Sequence, residues 1–309
     1  MAQIKLAWQS KLVLLLVLPA VTVDAAVKTC WWGSQWWANQ QGQVVVWTLG
    51  LSILLALVTW KLRAATPAAA ATGAAVTSNL MYSTLVVPYQ PLHTALIPVL
   101  TVSVLAFATT AMGRTRKERL GTAEKREGRS AAQVAANLGM AALITGELGQ
   151  TWIADNHWFS NSTLGQMVLF TAGLAALAEA AADTVSSEVG QVFGGRPRIV
   201  INLRKVEAGT DGAVSLAGTL AGVLAAGIVA AIGTMALGGN QAMFWVSCAG
   251  SIFGFLFDSL LGATFEEWGW LNNDAVNFLS TASAAVFAIG VAALLPHTAL
   301  GHLPAFRLT

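Results

Sequence analysis

Nine apolar stretches of roughly bilayer-spanning length follow one another at about 12–27, 43–62, 68–88, 92–112, 131–149, 163–182, 214–237, 241–262 and 275–295. A chain with so much spanning hydrophobe leaves few soluble solutions open, because backbone polar groups in lipid must be satisfied internally. The expectation is an all-α polytopic transmembrane helical bundle of about nine spans. Composition agrees: 55% of residues are hydrophobic, only 10% are charged, and mean hydropathy is +0.63. A soluble domain carries roughly 25% charged residues. The net charge of +2 gives nucleic acid no electrostatic footprint.

The basic residues orient the bundle. With Lys5 and Lys11 inside, Lys61 and Arg63 fall inside after two spans, as does the run Arg114, Arg116, Lys117, Arg119, Lys125, Arg126 and Arg129 after two more. Arg196, Arg198, Arg204 and Lys205 follow on the same side, leaving Lys28 and Arg307 outside. The N-terminus is therefore expected inside and the C-terminus outside. Residues 1–42 form a first span, or a signal peptide ending near the "VDA" at 23–25, with a tryptophan-rich outer loop (30–43). Residues 43–309 form a membrane catalytic domain with cytoplasmic loops at about 113–130, 183–213 and 263–274. GxxxG spacings at Gly218/Gly222 and Gly250/Gly254 suit close helix packing.

Metal work, if any, rests on carboxylates. Cys30 and Cys248 are isolated, and His93, His157, His297 and His302 lack ligand spacing. The acids Asp183, Glu188, Glu207, Asp211, Asp258, Glu266, Glu267 and Asp274 all fall at the inner ends of spans or in inner loops. With the sixth span ending near 182, Asp183 and Asp258 lie at helix C-termini, where the dipole disfavours anions by a few tenths to about 1 kcal/mol. A cation between them would relieve that, and Mg²⁺ commonly takes one or two carboxylates plus substrate phosphates. Asp183 shares its helix face with Ser187 and Gly190. The plain alternative is acids at headgroup level balancing the arginines.

"GTDG" (209–212) follows Arg204 and Lys205. Gly209 and Gly212 around Thr210 and Asp211 make a tight turn whose N–H groups could form an anion nest at the start of the seventh helix. Asp211, Thr210 or Ser215 would otherwise cap that helix. In the 113–130 loop, Lys117, Lys125 or Arg129 could meet phosphates, or the whole loop could be a positive-inside anchor on anionic lipid. Asn137 is a polar group in hydrocarbon that needs a partner. Asn272, Asn273 and Asp274 suit the start of the ninth helix, while Asn277, four residues past Asn273, lies too deep to cap it. P-loop, GxGxxG, HRD, GxSxG and HExxH patterns are absent from the sequence.

"ADTVSSEVG" (182–190), "KVEAGTDGAVSLAGT" (205–219), "DSLLGAT" (258–264), "NNDAVNF" (272–278) and "RKERLGTAEKREGRSAAQVAAN" (116–137) resemble the integral membrane family that contains plant and cyanobacterial phytyl-phosphate kinases of the tocopherol pathway. The resemblance covers roughly residues 60–295, and more distantly extends to phytol kinases, dolichol kinases and CDP-diacylglycerol synthases. It implies a CTP- or other NTP-dependent kinase converting a polyprenyl monophosphate to the diphosphate in isoprenoid metabolism. Asp183, Ser187, Glu188, Lys205, Gly209, Thr210, Asp211, Gly212, Ser215, Asp258, Asn273 and Asn277 stand at motif positions. Glu266 departs, since a Gln is expected there.

On that resemblance Asp183, Asp258 and Glu188 are expected to hold Mg²⁺. Asp211 and Lys205 complete the catalytic set. Lys117, Lys125, Arg129, Asn137, Ser187, Gly209, Thr210, Gly212, Ser215, Asn273 and Asn277 are expected to bind nucleotide or phosphate. Partners would be a prenyl-phosphate lipid, a nucleoside triphosphate and membrane lipids, with a homo-oligomer compatible. The location would be a bacterial cytoplasmic membrane, or a plastid envelope in a plant or alga. A cytidylyltransferase or a transporter with intramembrane carboxylates are the rival readings.

Overall fold

The computed structural model describes residues 6–35, 42–86, 88–156, 162–296 and 300. Lys5, Arg307, His157, His297, His302 and residues 36–41 of the tryptophan-rich loop lie outside the described residues. Each expected segment contains a helix, the one at 131–149 being broken at Gly146. The helices are α1 (Ala7–Ser34), α2 (Gly42–Lys61), α3 (Pro67–Ser83), α4 (Leu96–Ala111), α6 (Ala131–Thr145), α8 (Ser162–Phe193), α9 (Leu216–Ala236), α10 (Gln241–Leu261) and α11 (Asn273–Leu294). Two short helices intervene, α5 (Arg114–Leu120) and α7 (Glu147–Asn156). Among the described residues six helices are long and apolar enough to cross a membrane, or seven if α4 and α5, bent by 70°, count as one broken span. At 17 and 15 residues, α3 and α6 are short for the purpose.

Three boundaries correct the sequence expectation. The sixth segment does not end near 182: α8 runs for 32 residues to Phe193. The alanines that precede Asp183 are good helix formers, and packing against α9, α10 and α11 carries the helix on past the acid. The expected loop 183–213 therefore shrinks to a connection after Phe193. It holds a two-stranded antiparallel hairpin, β1 (Arg198–Ile199) with β2 (Ala213–Val214). Similarly, α1 continues through Trp31 and Trp32 to Ser34, so the start of the expected outer loop is helical. The expected loop 113–130 contains α5, held between left-handed Gly113 and Gly121.

Helix α8 is the axis of the bundle. Within its apolar stretch 94% of residues are buried, against 22% for α1 and α2. It packs against α4, α6, α9, α10 and α11, and Leu174, Ala175, Leu177 and Ala178 are buried in the main core with Val17, Val99, Val229 and Ala288. Small residues set these distances. A Cβ on Gly222 would lie 2.8 Å from the Ala182 carbonyl oxygen, and one on Gly254 would lie 2.8 Å from both Glu179 Cγ and the Ser280 carbonyl. Both GxxxG pairs are thus used inside the chain, bringing α9 and α10 against the acidic face of α8.

Helix starts are set by ordinary capping. Thr66 caps α3, Ser130 and Gln133 form a capping box on α6, and Ser215, Asn240 and Asn272 cap α9, α10 and α11. At its far end α10 widens into a π turn, Gly262–Glu266. Such turns often occur at functional sites.

Candidate active site

The acids on α8 and α10 meet where α10 packs closely. Asp183 on α8 and Asp258 on α10 lie close enough to act on each other electrostatically. One turn deeper on α8, Glu179 is 1% exposed. The Ser280 hydroxyl on α11 faces both Glu179 and Asp258. Glu179 Oε1 and Asp258 Oδ2 are buried with no hydrogen-bond partner. A buried acceptor left unpaired costs about 1–3 kcal/mol, more when charged, so the pocket is short of a donor or a cation.

Glu188 has a different environment. Its Oε2 accepts from Lys117 Nζ at 2.6 Å and its Oε1 from the Thr110 hydroxyl at 2.8 Å. Lys117 is 1% exposed and also donates to the carbonyls of Thr109 (3.0 Å) and Thr110 (2.7 Å). Its three protons are all placed, so Lys117 has none left for a phosphate, and each Glu188 oxygen already accepts one bond. The pair locks the bend between α4 and α5 onto α8.

The other cations surround a cavity. About 510 Å³ opens between α2, α3, α4 and α6, with walls including Leu55, Ala69, Val99 and Phe107. Arg63, Arg114, Lys125, Arg126 and Arg129 line the same cavity, with Glu124 the one acid among its lining residues. Two loops are stitched together to make this rim: the Thr66 N–H donates to the Arg129 carbonyl at 3.0 Å, and the Arg129 N–H to the Ala64 carbonyl at 3.0 Å. Gly128, at φ +84°, lies against the backbone of Arg63 and Ala64, where any Cβ would clash.

Arg129 joins the two halves of the site. It lines the cavity, its Nη2 is 3.5 Å from Thr184 Oγ1, and its charge acts directly on Asp183. Asn137 also lines the cavity. Its Oδ1 accepts from Asn277 Nδ2 at 3.4 Å, and its Nδ2 donates to the Gln133 carbonyl at 2.8 Å. The partner that Asn137 needs in hydrocarbon is therefore Asn277.

The 209–212 turn sits elsewhere on the acidic cluster. Gly209 (φ +93°) and Gly212 (φ +66°) close it, with Thr210 N–H donating to the Glu207 carbonyl and Ala213 N–H to the Thr210 carbonyl. Gly212 is packed against Ala263 of the π turn. After the turn, Ser215 caps α9 by accepting from Gly218 N–H at 3.1 Å, so the helix start has its own cap and the expected nest would rest on the turn's remaining N–H groups. Crowding around Asp211, then the nearby Glu267 charge, push its carboxyl above the usual carboxylate range. Ser187 accepts from Gln191 Nε2 at 3.1 Å, and Gln191 Oε1 accepts from Thr122 at 2.6 Å. Lys205 is exposed on the hairpin and Asn273 is exposed beside the Asn272 cap.

A family model described as "Integral membrane protein DUF92" matches residues 50–285. The chain belongs to this DUF92 family of integral membrane proteins. Similar proteins include an uncharacterized membrane protein of Methanocaldococcus jannaschii, 40% identical over 116 residues, which cover 38% of this chain and 48% of the relative. An uncharacterized membrane protein of Synechocystis is 35% identical over 201 residues, 60% of this chain and 69% of the relative. The chloroplastic protein VTE6 of Arabidopsis thaliana is 31% identical over 189 residues, 60% of this chain and 55% of the relative. The chain thus spans about half the length of the archaeal and plant relatives it matches. No solved structure matches it. The matched segment contains the carboxylate cluster, the cavity rim, the hairpin and the π turn.

Sequence reasoning missed Glu179, Thr110, Thr184 and Ser280. Glu179 had a readable signal: it is an acid inside an apolar run, one turn before Asp183, and ionisable residues at such depth are functional candidates by default. The hydroxyls carry no such signal, because Ser and Thr are common in packed membrane helices.

Proposed function

We propose that the protein is a membrane-embedded kinase. It transfers the terminal phosphoryl group of CTP, or another nucleoside triphosphate, to a polyprenyl monophosphate such as phytyl phosphate. The observation that supports this best is the juxtaposition at Arg129: an apolar cavity with a cationic rim on one side, and the Asp183–Asp258 pair on the other. A lipid phosphate needs that combination, an apolar wall for the tail and cations for the head. The motif resemblance to the phytyl-phosphate kinase family points the same way, as does the similarity to VTE6. Nine spans, with the basic loops and this site on the cytoplasmic face, complete the reading.

The residues fit a divalent cation at one place. The neighbouring carboxyls of Asp183 and Asp258, with Asp258 Oδ2 unpartnered, offer oxygen ligands and excess negative charge. Among the described residues no three acidic, histidine or cysteine side chains converge to hold a metal by themselves. That suits Mg²⁺, which fills its shell with substrate phosphates and water and would supply charge neutralisation here. Glu188 acts through Lys117 rather than as a ligand.

The acceptor oxygen of the lipid phosphate attacks the terminal phosphorus while the bond to the bridging oxygen breaks, releasing the nucleoside diphosphate. The acceptor is already anionic, so no strong general base is required. Arg129 holds the acceptor beside Asp183, with Lys125 and Arg126 at the rim. Asn137 and Asn277 fix the cavity wall near the reacting groups. Lys205 and the hairpin, with Thr210 and Asp211, border the nucleotide side, and Ser187 and Asn273 flank the entrance.

The test is purified protein in detergent with Mg²⁺, labelled CTP or ATP, and phytyl, geranylgeranyl and undecaprenyl monophosphates. Labelled lipid diphosphate with release of nucleoside diphosphate is expected. Pyrophosphate release would instead mark a cytidylyltransferase. No lipid product from folded protein would overturn both.

A further inference from the structure

A second cavity, of about 660 Å³, lies between α1, α3 and the α6–α7 break, lined by none of the residues of the acidic site or the basic rim. It falls within the range of roughly 300–1,000 Å³ typical of ligand pockets. Val23 and Val27 on α1, each 62% exposed, and Leu148, 63% exposed, line it at the lipid-facing surface of the bundle. Its floor is polar. Asp24 Oδ2 accepts from Lys28 Nζ at 3.0 Å, from Asn79 Nδ2 at 2.7 Å, and from the Glu147 N–H at 3.1 Å. Lys28 also donates to the Ser83 hydroxyl at 2.9 Å.

In this network the acid and the ammonium neutralise each other. One buried acceptor is left over: Asn79, 1% exposed and lining the cavity, has an Oδ1 with no partner. Gly146 keeps the floor open, since a Cβ there would lie 2.7 Å from Asp24 Oδ2 and 3.4 Å from Asn79 Oδ1. A buried lone acceptor beside an internally balanced ion pair selects a neutral hydrogen-bond donor. An anion meets two carboxylates, Asp24 and the exposed Glu147, against the single Lys28, and a buried cation finds Asp24 Oδ2 already shared three ways.

We propose that this cavity binds the hydroxyl head of an uncharged lipid alcohol, the O–H donating to Asn79 Oδ1 and the chain lying along Val23 and Val27. The site is independent of the kinase reading. Its nature follows from the acceptor left at Asn79 rather than from the rim cations.

The test uses the full-length protein in nanodiscs and a photoactivatable long-chain alcohol carrying a diazirine. Saturable labelling is expected on the segments 19–28 and 142–148. It should be displaced by the unlabelled alcohol and unaffected by the monophosphate ester of the same chain. Asn79→Leu should weaken binding by about five-fold, the worth of one hydrogen bond. Val23→Trp, at a lipid-facing position outside the polar network, should block the cavity and abolish saturable labelling; it also serves where Asn79→Leu does not fold. Labelling that never saturates, or that persists in Val23→Trp, would reduce the cavity to ordinary lipid-facing surface. Equal displacement by the phosphate ester would overturn the neutral-head assignment.

Discussion

Lys117 and Glu188, 71 residues apart, meet at 2.6 Å, and the lysine is almost wholly enclosed. The ammonium closes the C-terminal end of α4 through two carbonyls while the carboxylate belongs to α8. One contact therefore fixes where the bend between α4 and α5 leaves the bundle, and with it the start of the basic loop that runs on to Arg129. Breaking such a pair from one side strands a buried charge. Lys117→Met is expected to destabilise the protein by about 3 kcal/mol. The double variant Lys117→Met, Glu188→Gln should recover a substantial part of that loss. Thermal unfolding in detergent, followed by fluorescence, checks both; equal stability of the two variants would mean that the contact is not energetically coupled.

Asp183→Asn and Asp258→Asn are each expected to lower turnover by at least about 10²-fold, the scale of losing one preorganised electrostatic contact. Expression and unfolding temperature should stay near the parent's. Formation of labelled lipid diphosphate is the assay. Two variants with parental turnover would remove these carboxylates from the reaction.

Arg129→Lys keeps the charge and loses the planar fork. Its expected effect is a rise in KM for the lipid phosphate of roughly ten-fold, with a smaller change in KM for the nucleotide. Initial rates with each substrate varied in turn distinguish this from a general loss of fold, which would lower kcat without separating the two constants.

Gly222→Leu places a side chain where the Ala182 carbonyl and Ser186 Cβ already lie within 3 Å of a Cβ. Overpacking of this kind costs about 1–3 kcal/mol. The expected outcome is a lower unfolding temperature together with reduced activity, because α9 can retreat only by moving the Ser215 cap and the hairpin. Gly227→Ala, on the same helix with open space around it, should behave like the parent.

The carboxyl of Asp211 is raised above its usual value by desolvation and by Glu267. Its folded-state value therefore exceeds the unfolded one near 3.9. The penalty of the charged form is fully present above the folded value and disappears as pH falls below the unfolded one. Asp211→Asn should accordingly be more stable than the parent at neutral and alkaline pH, the difference vanishing below about pH 4. Unfolding temperatures measured across that range test the sign; an advantage confined to acid pH would refute it.

How much was legible in the sequence differs between these parts. The nine helical segments were readable because membrane-length apolar runs leave the backbone one solution. The carboxylates at 183 and 258 were readable because charge at that depth is conspicuous. The helix boundary after 182 was misread because Asp183 looked like a terminus. Its partners come from α10 and the basic loop, contacts that no local pattern reports. For the same reason Lys117 looked like a free cation: nothing near it in sequence announces Glu188. The glycines at 222 and 254 were visible as spacings, but which surface they would touch depended on the packing around α8.

The burial of α8 also bears on how the protein is made. This helix presents almost no side to lipid, and it holds Glu179 and Asp183, whose insertion alone opposes entry into hydrocarbon by a few kcal/mol each at the bilayer centre. Three of the helices that enclose it, α9, α10 and α11, leave the ribosome after it does. During synthesis α8 must wait, sheltered by the insertion machinery or by α4 and α6, until the last third of the chain arrives to close around it.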